Sequence, residues 1–172
     1  MTRTAPITVP YAWPVRPFHV ALVEPEIPPN TGNIARLCAA TGTILHLIGP
    51  LGFRLTDKSL KRAGLDYWDS VQVVQHRNFK EFEQAVAPGR LLCFSARGQN
   101  LYTEASYREG DVLVFGSERT GLPDDILKQH ADGVYLIPLR KDAVRSLNLA
   151  TAAGIVLYEA LRQVRTRSGA EQ

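Results

Sequence analysis

Ile137-Pro138-Leu139-Arg140-Lys141-Asp142-Ala143-Val144-Arg145-Ser146-Leu147-Asn148-Leu149-Ala150-Thr151-Ala152-Ala153-Gly154-Ile155-Val156-Leu157-Tyr158 decides how this chain is read. An apolar strand runs into Pro138, a charged loop follows, and a helix begins near Leu147. From Leu147 to Leu161 the clearly polar side chains are Asn148, Thr151, Tyr158 and Glu159. A surface helix ordinarily shows one polar face. This one is small and apolar almost all round, so it needs cover on most sides, from its own domain and from a second chain. The loop before it stands at the mouth of whatever it closes over.

Outward from that stretch, short apolar runs alternate with helical segments. Strands are expected at His19–Val23, Ile44–Ile48, Val71–Gln75, Leu91–Phe94, Val112–Gly116 and Val134–Ile137. Helices are expected at Ile34–Thr41, Lys58–Ala63, Phe79–Ala87 and from Pro123 to about Gln129. Gly42 would stop the first helix, and Thr31 or Asn33 would cap its start. Glu24–Asn33, with Pro25, Pro28 and Pro29, reads as loop. Ser95–Tyr107 reads as polar loop. The alternation predicts an α/β domain with a mostly parallel sheet flanked by helices.

Length and composition agree. The 172 residues suit one domain with a substantial core, and 45% hydrophobic with 22% charged residues is ordinary for a globular protein. Residues 1–17, with Pro6, Pro10, Pro14 and Pro17, read as an extended arm. Residues 18–163 read as the domain, and 164–172 as a basic tail. No apolar run reaches the roughly 20 residues of a membrane span, and no apolar signal segment follows Arg3. Cys38 and Cys93 lack metal-ligand spacing and read as reduced core thiols, which points to the cytoplasm. The net charge of +3 comes from the two ends of the chain. Local basic clusters remain at Arg54/Lys58/Lys61/Arg62 and at Arg140/Lys141/Arg145. They fit a polyanionic partner, and equally a solvated surface.

In a parallel α/β sheet, ligands bind beyond the carboxyl ends of the strands. Four polar loops occupy that position: Pro28–Arg36, Ser95–Gly98, Gly116–Gly121 and Leu139–Asn148. Asn30-Thr31-Gly32-Asn33 before a helix suits an anion or a sugar. Gly116 at a strand end would let a ligand approach the backbone, although a βα turn needs such a glycine for geometry alone. Ser117 is not a hydrolase nucleophile, because the G-x-S-x-G elbow is missing and no histidine is placed as its base. His19, His46, His76 and His130 have no metal spacing and read as core or surface residues, with His76 in a turn. The G-x-G-x-x-G and Walker A signatures are absent.

Three blocks then fall together: Asn30-Thr31-Gly32-Asn33-Ile34-Ala35-Arg36, Phe115-Gly116-Ser117-Glu118-Arg119-Thr120-Gly121-Leu122-Pro123, and Ile137-Pro138 with Ser146-Leu147-Asn148-Leu149. In order and spacing they resemble the three motifs of the SPOUT superfamily of RNA methyltransferases. Glu24-Pro25-Glu26-Ile27-Pro28-Pro29 and Arg62-Ala63-Gly64-Leu65-Asp66-Tyr67 are similar to its small tRNA wobble-nucleotide 2′-O-methyltransferases. The resemblance spans about His19 to Gln163. It implies a C-terminal trefoil knot, S-adenosylmethionine as cofactor and a homodimer with sites at the interface. It implies methyl transfer to the ribose 2′-hydroxyl of cytidine 34 or modified uridine 34 in the tRNA anticodon loop, with leucine isoacceptors as expected substrates. Neither a metal nor a membrane is expected.

By motif position, Phe94, Gly116, Ile137 and Ser146 would hold the cofactor. Arg36, Ser146 and Asn148 would be catalytic, with Arg36 arriving from the partner subunit. Asn30, Arg36, Glu118, Arg145 and Tyr158 would contact substrate. The reaction itself needs alignment of oxygen, methyl carbon and sulfur, and control of one proton. Guanidinium groups stay protonated, so Arg36 would orient the ribose or phosphate and stabilise developing charge. Two alternatives stay open: 2′-O-methylation elsewhere in tRNA or ribosomal RNA, and an RNA-binding module without catalysis.

Overall fold

The structure is a computed structural model that describes residues 10–55, 69–140 and 142–170, with side chains as far as Arg165. One parallel sheet of seven strands forms its middle layer. The strands are β1 (His19–Val23), β2 (Ile44–Ile48), β3 (Val73–His76), β4 (Leu91–Phe94), β5 (Asn100–Leu101), β6 (Val112–Phe115) and β7 (Val134–Leu136). Their spatial order is β3-β2-β1-β6-β4-β7-β5. The central strands read as unbroken apolar runs because both faces are covered, and all of Val112–Phe115 is buried. Leu22, Phe115 and Phe94 are paired in register, so β1, β6 and β4 end level with one another.

Among the described residues the α-helices are α1 (Pro28–Thr41), α2 (Phe79–Val86), α3 (Asp124–Gln129) and α4 (Leu149–Ala170). One face of the sheet buries Val20, Leu22, Leu45, Leu47 and Leu113 with Ile34 of α1 and Val156 and Leu157 of α4. The other face buries Ala21, Val23, Ile48 and Val114 with Phe82 of α2 and Ile126 of α3. Cys38 belongs to the first cluster and Cys93 to the second, so the sheet separates the two free thiols. Burial pushes both thiols up to about 12.

Several boundaries differ from the sequence reading. The stretch Glu24–Asn33 is not all loop, because α1 starts at Pro28. Proline is tolerated in a first helical turn, where its missing N–H would have had no partner. Thr31 and Asn33 therefore lie inside the helix and do not cap it, whereas Gly42 ends it with φ 67° as expected. His76 is the last residue of β3 and not part of a turn. The Ser95–Tyr107 segment contains the short strand β5, which pairs with β7. The C-terminal helix begins at Leu149, not Leu147, and continues through Ala170. The helix expected at Lys58–Ala63, and Lys58, Lys61, Arg62 and Lys141 of the basic clusters, lie outside the described residues. No helix among the described residues is long and apolar enough to cross a membrane.

Candidate active site

The four polar loops converge beyond the carboxyl ends of β4, β6 and β7. They enclose a cavity of about 480 Å³ lined by Phe94–Arg97, Phe115–Gly121, Ile137, Leu139, Arg145–Leu149, Asn30 and Ala152. Ligand pockets typically run from roughly 300 to 1,000 Å³. Its floor is aromatic: Phe94 stacks on Phe115 at 5.2 Å between ring centroids. Its walls combine chain turns and aliphatic side chains with the polar groups of Arg97, Glu118, Arg119, Arg145 and Ser146, and among the described residues lining it there is no histidine, cysteine or aspartate.

A hydrogen-bond relay ties three of these loops together. Glu118 accepts from the backbone N–H of Glu26 at 2.8 Å, that of Ile27 at 3.1 Å and the Asn30 amide at 3.1 Å. Ile27 is the N-cap residue of α1, and its own side chain offers no acceptor. The Glu118 carboxylate therefore caps α1 from 91 positions away, where helix N-termini favour negative charge. Asn30 accepts from the Asn148 amide at 2.9 Å. Asn148 Oδ1 then accepts from the N–H of Ala150 at 2.9 Å and of Thr151 at 3.3 Å, which caps α4.

The Gly116–Gly121 turn explains its own sequence. A Cβ on Gly116 would stand 2.0 Å from the carbonyl carbon of Gly121, so the returning chain, rather than a ligand, requires glycine there. Ser117 and Gly121 exchange backbone hydrogen bonds, and the Ser117 hydroxyl meets that of Thr120 at 2.7 Å. Ser117 is thus a turn clasp and no nucleophile. Arg97, which the motifs did not single out, donates to the carbonyl of Leu122 at 2.6 Å and pairs with Asp124. It fastens the β4 loop to the start of α3. Arg119 reaches Glu26 at 3.4 Å.

The cavity brings together Asn30, Phe94, Gly116, Glu118, Ile137, Arg145, Ser146 and Asn148 from the expected site. Arg36 and Tyr158 do not line it: both are exposed, on α1 and α4, which pack against each other on one side of the sheet. Asn30, Glu118 and Asn148 spend their polar atoms on one another and on the helix starts, so within this chain they hold the site's shape. Neither the capping role of Asn148 nor its bond to Asn30 was read from the sequence. Among the described residues no cluster of His, Cys, Asp and Glu suits a metal ion.

Comparison with known proteins agrees with this geometry. The model of the SpoU rRNA Methylase family matches residues 17–158. A tRNA (cytidine(34)-2′-O)-methyltransferase of Saccharophagus degradans is 52% identical over 148 residues, covering 86% of this chain and 96% of that protein. A solved structure presented as "Structural insights into the 2-OH methylation of C/U34 on tRNA" superposes with TM-score 0.81 at 49% identity, covering 86% of this chain and 96% of that one. An AdoMet-bound rRNA methyltransferase from Sinorhizobium meliloti superposes with TM-score 0.76 at 29% identity, over 88% of this chain and 58% of that one. The three motif blocks and the cavity they enclose lie within the matched span, and the chain belongs to the SpoU rRNA Methylase family.

Proposed function

We propose that this protein transfers the methyl group of S-adenosylmethionine to the ribose 2′-hydroxyl of the wobble nucleotide of tRNA, cytidine 34 or a modified uridine 34, in the cytoplasm. The observation that carries the reading is the convergence of Asn30, Gly116, Glu118, Ser146 and Asn148 on one cavity, in a chain about half identical to relatives named for that reaction. The residues present fit the cofactor: an aromatic and aliphatic floor suits the adenosyl group, and the backbone ends at Phe94, Gly116 and Ile137 supply polar contacts. When bound, it supplies an electrophilic methyl carbon on a sulfonium. The protein's share is to orient the hydroxyl and exclude water. Ser146, exposed at the cavity rim, is the hydroxyl placed to hold or pass the ribose proton.

Arg36 completes the site from a second copy of the chain. Support comes from its exposure on α1 outside its own cavity, from Tyr158, 55% exposed on α4, and from the apolar character of that helix. A homodimer formed through α1 and α4 would bring Arg36 and Tyr158 to the neighbouring cavity. The C-terminal trefoil knot belongs to the same reading. Its support is the crossing of the β4–β5 turn over β7, where a Cβ on Gly98 would meet Tyr135 at 2.6 Å, and the return of the chain to Asn30 through Asn148. Arg140, Arg145 and Arg54, all exposed, are described cations that would meet the anticodon loop.

The test is mass spectrometry of nucleosides after incubating the protein with labelled S-adenosylmethionine and, in parallel, unmodified tRNA, leucine isoacceptors first, and ribosomal RNA fragments. Label in 2′-O-methylcytidine or its uridine counterpart at the wobble position supports the reading. Label only in ribosomal RNA fragments would support the second reading, which the family's description and the Sinorhizobium neighbour favour. Mixing Arg36→Ala with a cavity-defective Ser146→Ala chain, altered at an exposed position of the rim, tests the partner role. Restored turnover in the mixture is expected if the arginine acts across the interface.

A further inference from the structure

Three histidines that the proposed chemistry does not use form a ladder across one face of the sheet. His19 opens β1, His46 is central in β2 and His76 closes β3. Register pairs His46 with Ala21 and with Val74, so each histidine lies two positions beyond its neighbour on a diagonal. His19 Nδ1 is 2.8 Å from His46 Nε2, and His46 Nδ1 is 2.9 Å from His76 Nε2. The rings stack, with centroids 5.1 and 5.2 Å apart. Phe82 of α2 stands edge-on to His46 at 5.5 Å and to His76 at 5.4 Å. His46 and His76 are buried.

Proton counting gives this arrangement a fixed capacity. Three imidazoles carry six nitrogens, and three N–H protons when neutral. Each nitrogen–nitrogen contact needs one proton and one lone pair. The two contacts therefore hold two protons, and the outer nitrogens, His19 Nε2 and His76 Nδ1, hold at most one each. The intact ladder accepts one extra proton. A second would set two N–H groups face to face and break a contact.

We propose that His19, His46 and His76 form an acid-sensitive clasp on the β1–β2–β3 edge of the sheet, intact with at most one added proton and opened by a second. Nearby charges leave it little compensation. On α2, Glu81 faces His76 but is engaged by Arg77 at 2.9 Å, and Glu83 beyond Phe79 bonds His130 at 3.1 Å. On the strand side Asp111, beside the start of β1, is held by Arg90 at 2.6 Å. Burial holds the His46 imidazole down at about 3, reinforced by charge on His19 and His76. His19 and His76 are lowered by the same cause, with Glu81 opposing it at His76.

The sign follows. These groups are harder to charge in the folded state, so their contribution is complete above about pH 7 and is lost as pH falls below the unfolded value near 6.5. Once the unfolded rings hold three protons and the ladder its one, the difference of two raises the unfolding constant about 100-fold per pH unit. The clasp also reaches the cavity. The His76 carbonyl accepts from Gly49 at 2.9 Å, Gly52 donates to Pro25 at 3.0 Å, and the adjoining Glu26 donates to Glu118 at 2.8 Å.

The experiment is side-chain nitrogen NMR of the full chain labelled with ¹⁵N-histidine, from pH 8 to 4.5, with amide spectra recorded alongside. Expected is uptake of no more than one proton by the three rings while the bridging N–H signals persist. The second uptake should coincide with loss of the β2 and β3 amide signals. Two charged rings with the bridging signals and the strand amides intact would overturn the proposal. His76→Leu gives an independent reading by denaturant unfolding: with one contact left, the excess proton uptake should fall from about two to about one. An unchanged pH slope in that variant would also overturn it.

Discussion

Replacing Glu118 with alanine tests whether the cavity is held by the carboxylate that spans two of its loops. The substitution removes three accepted hydrogen bonds, from Glu26, Ile27 and Asn30. Hydrogen bonds to charged groups contribute about 1.5–3 kcal/mol each when water cannot replace them. Here it can in part, since Ile27 is 42% exposed and the cavity is open. The appropriate scale is therefore a lost helix cap, about 1–2 kcal/mol, with a further few tenths for the uncompensated helix dipole. A total near 2 kcal/mol lowers the thermal midpoint of a domain this size by about 4–8 °C. Circular dichroism at one fixed protein concentration measures it, because any dimerisation makes the midpoint depend on concentration. Glu118→Gln should lose less, since one oxygen still accepts. The relay adds a sharper requirement. With Asn30 released, Asn148→Ala should cost less in the Glu118→Ala background than in the parent, by about 0.5 kcal/mol or more. A midpoint shift under 1 °C, or strict additivity of the two substitutions, would refute the capping argument.

Three further outcomes follow from the same geometry. Arg36→Ala should keep S-adenosylmethionine affinity, measured by calorimetry, and lower methyl transfer by at least about 100-fold, the scale of a lost charge-stabilising donor; near-normal turnover would remove Arg36 from the site. Gly116→Ala should unfold at lower denaturant concentration and lose cofactor binding, because its Cβ meets the Gly121–Leu122 backbone at 2.0–2.1 Å, which is main chain and cannot swing aside. Binding of an anticodon stem-loop should weaken roughly 20-fold between about 50 and 200 mM salt if Arg54, Arg140 and Arg145 each neutralise one phosphate, and an affinity independent of salt would contradict an electrostatic interface.

What the sequence made legible was whatever depends on neighbours in the chain. Val112–Phe115 and His19–Val23 declare themselves as strands because both faces are buried and every position is apolar or nearly so. Gly42 declares the end of α1 because a left-handed residue is needed there. β5 could not be seen, since Asn100 and Leu101 are exposed and their pairing partner β7 arrives 35 positions later, at Tyr135. The start of α1 was misread for a physical reason. Pro28 and Pro29 break a helix interior but suit its first turn, and the cap that marks that turn comes from Glu118 instead of a local Ser, Thr, Asp or Asn. The histidine ladder was equally hidden. Gaps of 27 and 30 positions have no periodicity, and only the parallel register places the rings in contact.

The same distinction separates the two kinds of site residue. Asn30, Glu118 and Asn148 look from their motifs like groups aimed at substrate, yet their hydrogen bonds run to one another and to the starts of α1 and α4. Two helix N-termini, each a partial positive charge, thereby meet at one cavity, and Arg145 adds to that sign, whereas Arg97 and Arg119 are paired with Asp124 and Glu26. Glu118 is the sole carboxylate among the described lining residues. A cavity that must admit a cationic sulfonium beside a polyanionic RNA needs such a local offset: without it the positive rim that attracts phosphate would also repel the methyl donor. Glu118 thus joins two demands in one group, because the bonds that fix α1, and with it the direction of Arg36, also place negative charge where the rim is otherwise positive.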